Sequence, residues 1–137
     1  MSTETWFQGH LSELSEDECL ELAATKAVGR IAYTGPQGPE VIPVNFLLRE
    51  GTVLIRTSPH GALGRLVHHG VAAFQVDDID DFTQSGWSVL LRGRVEPVTS
   101  DELPAEDARP VVWPEGQRSL HLRLTPSTVT GRRLLPA

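Results

Sequence analysis

The sequence predicts a mainly β domain: a six-stranded antiparallel barrel, closed or split, with two short helices. Three observations carry this expectation. Six short stretches are rich in apolar residues suited to strands. Gly- and Pro-marked turns separate the early ones, too short for anything but antiparallel neighbours. Helical spacing is confined to two stretches, about 16–26 and 62–69.

The elements follow in order. Residues 1–13 read as a loose arm on a single domain that spans 1–137. Ser15-Glu16-Asp17-Glu18 is a capping box, with Leu14 placed as a hydrophobic staple. Cys19, Leu20, Leu22, Ala23 and Ala27 then share one helical face. From Val28 the period changes. Strands are expected over Val28–Thr34, Val41–Leu48 and Thr52–Thr57, joined by Gly35-Pro36-Gln37-Gly38-Pro39 and Glu50-Gly51. Pro43 inside the second strand cannot donate to a ladder. It implies an edge, a bulge, or a place where something other than a strand lies alongside. Ala62–His69 reads as a helix ended by Gly70. Val71–Val76 is the fourth strand, Asp77–Gly86 an acidic loop, and Trp87–Val98 the fifth strand. Asp101–Pro110 allows a helical turn, and Ser119–Thr125 is the sixth strand, with Leu120, Leu122 and Leu124 on one face and His121 and Arg123 on the other.

Composition narrows the function. A chain of 137 residues, 39% of them hydrophobic, can bury one core. A net charge of −6 argues against nucleic acid as the main partner. Lys26 is the only lysine, so the basic side chains are otherwise Arg, suited to bidentate contacts with phosphate or carboxylate. Cys19 is the only cysteine, which excludes an internal disulfide, and its place on the helix's apolar face suggests packing. Met1–His10 lacks the pattern of a secretory signal and no apolar run approaches a membrane span, so a cytoplasmic protein is expected. The histidines and the Asp77–Asp81 run lack metal-ligand spacing, so no metal site is expected.

The most informative stretch runs from Leu54 to Arg65. A strand ends in Arg56, Thr57 and Ser58, and a Gly61-containing turn opens a helix. Free N–H groups at a helix start attract phosphate, and the Arg and the two hydroxyls add donors. An ordinary capped strand–turn–helix is the bland alternative. Val41-Ile42-Pro43-Val44-Asn45-Phe46 is the second candidate, because a flat heteroaromatic could bond to backbone groups that Pro43 leaves without a ladder partner. Trp87 and Ser88 open the fifth strand, where Trp could stack on a ring, although core or rim packing is the commoner role. No nucleophile elbow, Walker loop or dinucleotide fingerprint occurs.

Taken together, Val28-Gly29-Arg30-Ile31-Ala32, Pro43-Val44-Asn45-Phe46, Arg56-Thr57, Ala73-Phe74-Gln75-Val76-Asp77, Gly86-Trp87-Ser88-Val89 with Gly93, and Thr130-Gly131-Arg132-Arg133 resemble the FMN-binding split-barrel proteins related to pyridoxamine-5'-phosphate oxidase. The small single-domain members, similar in layout to nitroimidazole-resistance reductases, are the nearest group. The resemblance covers Leu14–Leu134. It implies a homodimer with two FMN sites and no dedicated general acid or base. Pro43, Val44, Asn45 and Phe46 would lie along the isoalloxazine edge. Arg56, Thr57 and Ser58 would approach the ribityl chain and phosphate, and Trp87 and Ser88 would lie at the flavin. Trp113 and Arg123 would complete the site from the second subunit. Where such proteins usually carry a cation at the start of the helix after the third strand, this chain has Ala62; Arg65, one turn on, is the candidate substitute. Three readings follow: an FMN-dependent oxidoreductase acting on an unknown small molecule; a non-catalytic carrier or sensor of flavin, of the deazaflavin F420 or of haem; and a dimer whose cofactor site has decayed.

Overall fold

A computed structural model describes residues 10–58, 61, 63–64, 70–113 and 120–136. Among the described residues, seven strands and one α-helix make the architecture. The strands are β1 (His10–Glu13), β2 (Val28–Gly35), β3 (Gly38–Arg49), β4 (Thr52–Thr57), β5 (Val71–Asp80), β6 (Ser85–Pro97) and β7 (Leu120–Leu135), and the helix is α1 (Glu16–Ala23). All pairings are antiparallel. The sheet order is β1-β7-β4-β3-β2-β5-β6, and β6 pairs in turn with β7. Strands β2 to β7 therefore close a six-stranded ring, which is the expected barrel. Among the described residues no helix is long and apolar enough to cross a membrane, and no group of three or more His, Cys, Asp or Glu could hold a metal ion.

Period-two alternation turns one face of each strand inward. Val53 and Ile55, Phe74 and Val76, Val89 and Leu91, and Leu122 and Leu124 are all buried. The Phe46 ring meets the Phe74 ring edge-on, with centroids 4.9 Å apart. α1 begins as its sequence requires: the Ser15 hydroxyl accepts from Glu18 N–H (3.2 Å) and Ser15 N–H donates to the Glu18 carboxylate (3.0 Å). The helix packs on β6 and β7 and contributes Cys19 and Ala23 to the core. Burial, with Glu18 and Glu16 nearby, pushes the Cys19 thiol up, which suits a packing role.

Several expectations are corrected. Residues 10–13 are not a loose arm but a strand, because Gly131 O accepts from Leu14 N–H and sets β1 against Arg132–Leu135. The acidic loop shrinks to four residues: β5 runs on to Asp80, with Asp77 opposite Ser88 and Asp80 opposite Ser85. Lys26 (2.8 Å to Asp78) and Arg30 (3.4 Å to Asp77) offset the repulsion between its carboxylates, and the Asp80 carboxylate turns the chain by accepting from Phe82 and Thr83 N–H. β7 continues ten residues beyond the expected end at Thr125, through Pro126 and Gly131. His121, on the face opposite Leu122 and Leu124, is buried as well. The helical turn within 101–110 is a single 3-10 turn, Glu106–Ala108. Of the helix expected over 62–69, Leu63 and Gly64 are helical and the other residues lie outside the described set.

Candidate functional site

The strand that holds Pro43 has two different edges. β3 pairs with β2 from Gly38 to Asn45 but with β4 only from Phe46 to Arg49. Among the described residues its second edge is therefore open over Gly38–Asn45. Phe46 N–H donates to Ala27 O on the β2 side (3.1 Å). Backbone groups alternate edges along an antiparallel strand, so Asn45 N–H and the Pro43 carbonyl face the open edge, while the Asn45 carbonyl belongs to the β4 ladder. Pro43 costs the sheet no hydrogen bond there, which resolves its awkward position.

The open edge forms one wall of a cleft of about 450 Å³. Pro43, Val44 and Asn45 line that wall. Arg56, Thr57 and Ser58, at the end of β4, line another with Gly61 and Leu63. Trp113 lies at the rim, two-thirds exposed, beside Val112. Seven of the residues singled out from the sequence thus converge on one cavity. Its size suits a cofactor-sized ligand. Val28 and Val112 were not foreseen; Val28 is the β2 partner of Asn45, and Val112 precedes Trp113.

The segment 98–113 crosses the outer face of β4 and β7. Val98 N–H donates to His121 O (2.9 Å), and Trp113 N–H donates to the Asn45 side-chain oxygen (2.9 Å). Between these ends, Glu102 stands 3.8 Å from Arg123. The hydroxyl and the backbone N–H of Thr99, aided by Arg123, hold the Glu102 carboxyl below the usual carboxylate range. Arg56 is ion-paired with Glu106 at 3.7 Å, and Glu106 is held in turn by Arg109 at 2.7 Å. This cover is why Leu54 and His121, on the outer face, are buried.

Asn45 has a structural task. Its amide nitrogen donates to Ala27 O (3.3 Å) while its oxygen accepts from Trp113, and the residue is buried. Asn45→Ala is expected to cost about 1–3 kcal/mol, because it takes the acceptor from Trp113 N–H and one of two donors from Ala27 O, which keeps Phe46 N–H. Urea denaturation measures this. A variant as stable as the wild type would mean that the amide does not tie the 98–113 segment to β3.

The remaining sequence-predicted residues lie elsewhere on the chain. The Phe46 side chain is in the core, leaving only its backbone near the cleft. Trp87 and Ser88 line a separate groove of about 250 Å³ with Leu11, Ile79 and Leu134. Arg123 lines a third recess, of about 420 Å³, with Arg49 and Glu50. Trp113, expected from a second subunit, lines the cleft of its own chain. Arg65 and Ala62 lie outside the described residues.

The model of the family described as pyridoxamine 5'-phosphate oxidase matches residues 15–133. The chain belongs to that family. A curated relative, an uncharacterized protein of Mycobacterium tuberculosis, is 30% identical over 129 residues, covering 90% of this chain and 85% of its own. An FAD binding protein from Mycobacterium smegmatis shares the fold at 29% identity, with a TM-score of 0.71 over 91% of this chain and 99% of that one. A second protein from that organism, an FAD and haem binding protein, is 18% identical, with a TM-score of 0.69 over 93% of this chain and 75% of that one. The barrel is thus the FMN-binding split barrel of the pyridoxamine-5'-phosphate-oxidase-like proteins, and the two structures named above are an FAD binder and an FAD and haem binder.

Proposed function

We propose that the cleft between β3 and the end of β4 holds a phosphate-bearing flavin, FMN in the first instance, and that the protein is a flavin-dependent oxidoreductase acting on a small molecule. The observation that carries this reading is the open edge of β3 facing Arg56, Thr57 and Ser58 across one cavity. A flat heteroaromatic needs donors and acceptors along its rim, and Asn45 N–H and the Pro43 carbonyl supply one of each. A phosphate needs a cation and short donors, which the other wall supplies. A bound flavin supplies the redox chemistry itself. The chain binds it, orients it and limits access to one face.

Haem is the second reading, favoured by the FAD and haem binding neighbour. Flavin is preferred because the open β3 edge suits a flat heteroaromatic rim and Arg56, Thr57 and Ser58 suit a phosphate. Val41, Val111 and Trp113 leave exposed apolar surface beside the cleft. A second copy of the chain is the proposed cover, giving a homodimer. The visible spectrum of the purified protein, followed by titration with FMN, FAD and haem, tests the reading. Flavin bands and tightest binding of FMN are expected. A Soret band with no flavin affinity would overturn the flavin assignment, FAD binding well above FMN would change the ligand, and a monomeric mass by light scattering would remove the dimer.

A further inference from the structure

Among the described residues, the cation lining the cleft is Arg56, and it is shared with a carboxylate of the same chain. Arg56 Nη1 lies 3.7 Å from Glu106 Oε1, while Glu106 Oε2 lies 2.7 Å from Arg109 Nη1. Arg109 is itself fixed, its Nε–H donating to Pro104 O at 2.9 Å. The Glu106 side chain is three-quarters exposed, so no packing need holds it at Arg56. Two guanidinium groups therefore bracket one exposed carboxylate at the phosphate end of the proposed flavin cleft.

We propose that Glu106 stands in for the ligand's phosphate on Arg56 in the ligand-free protein, and that Arg109 keeps hold of it when the phosphate takes its place. This inference rests on the flavin reading above. Both ends of the 98–113 segment are fastened, at His121 O and at the Asn45 amide. Glu106 can thus leave Arg56 by turning its own side chain, without unpeeling the segment. A phosphate dianion carries more charge than the carboxylate and offers three acceptor oxygens, so the exchange favours ligand. The pairing with Arg109 survives it, which keeps the displaced carboxylate from facing the phosphate as an unpaired like charge. A flavin without phosphate leaves Arg56 to Glu106. The contact therefore makes the site discriminate by phosphate, and it lowers affinity for the ligand it admits.

Glu106→Gln keeps the shape and removes the charge at an exposed position, so the fold is not at risk. Dissociation constants for FMN and riboflavin are measured by flavin fluorescence for wild type, Glu106→Gln, Arg109→Ala, the double variant and Arg56→Ala. Glu106→Gln should tighten FMN about twofold to fivefold, the range an exposed ion pair commands, and leave riboflavin unchanged. Arg109→Ala should weaken FMN by a similar factor by releasing Glu106 to Arg56, and should have no effect in the Glu106→Gln background. Equal tightening for both ligands, or an Arg109→Ala effect that persists in that background, overturns the proposal. If Arg56→Ala weakens FMN while Glu106→Gln changes nothing, the stand-in role fails and the cleft assignment holds. If Arg56→Ala leaves FMN affinity unchanged, the cleft assignment fails and takes the Glu106 proposal with it.

Discussion

Gly93→Ala should lower stability by about 3 kcal/mol or more, close to the limit of what single substitutions do. β6 and β7 shift register between Arg92 and Gly93, with Arg92 opposite Thr128 and Gly93 opposite Pro126. At that bulge the strands come so close that a β-carbon on Gly93 would run into the Thr125 carbonyl and lie 2.8 Å from Pro126 Cα. These are backbone atoms, so relief requires one strand of the ring's longest pairing to move. Gly51 is the useful contrast. It adopts φ +75° in the tight turn after β3, and nothing lies within 4 Å of its would-be β-carbon. Gly51→Ala should therefore cost only about 1 kcal/mol, the strain of a left-handed conformation. Urea denaturation of both variants separates collision from strain. A Gly93→Ala midpoint equal to that of Gly51→Ala would mean that β6 and β7 do not cross at this distance.

Arg56→Ala should weaken FMN binding by about tenfold to a hundredfold, while Arg49→Ala changes it less than twofold. Arg56 ends β4 inside the cleft with Thr57 and Ser58. Arg49 lies at the far end of the hairpin, in the recess it shares with Glu50 and Arg123. A charge-assisted contact to phosphate is stronger than one between neutral groups, but Arg56 is partly exposed and already engaged by Glu106. Both facts pull the expected loss toward the lower end. Riboflavin should lose little in either variant. Titration with both ligands decides, and equal FMN affinities for the two variants would put the phosphate elsewhere.

The β2–β4 meander was legible because each of its turns is local. Gly35 and Gly38 close one hairpin, and Glu50-Gly51, both at positive φ, close the next. The open edge at Pro43 was legible for the same kind of reason, since a residue without an N–H must sit where no donor is needed. β7 was not. Pro126 and Gly131 look like breakers, yet Pro126 lies at the bulge opposite Gly93, and at Gly131 a β-carbon would run into Cys19 Sγ, Ser88 O and Leu14. Both causes lie far away in sequence. Within the cleft, Arg56, Thr57 and Ser58 announced themselves by adjacency. Trp113's place on its own chain, and the Glu106–Arg109 clamp, depend on the path of residues 98–113, which has no strong periodicity to betray it. Trp87 and Ser88 belong to the same family resemblance as the cleft residues, but the chain places the two groups in separate grooves.

β7 sits between β4 and β6 and also carries β1 on its far end, yet it follows every other strand along the chain. Until it arrives, β4 has only β3 beside it, β6 has only β5, and the inward row of Val53, Ile55, Val89 and Leu91 has no lid. Order of assembly follows from this. The β2–β3–β4 meander and the β5–β6 hairpin can form from near neighbours, whereas the ring must wait for contacts between distant parts of the chain, whose loop entropy is lost before any packing is gained. A growing or stalled polypeptide would pass through this half-made state with two sticky strand edges exposed, the surfaces on which chaperones and aggregation compete.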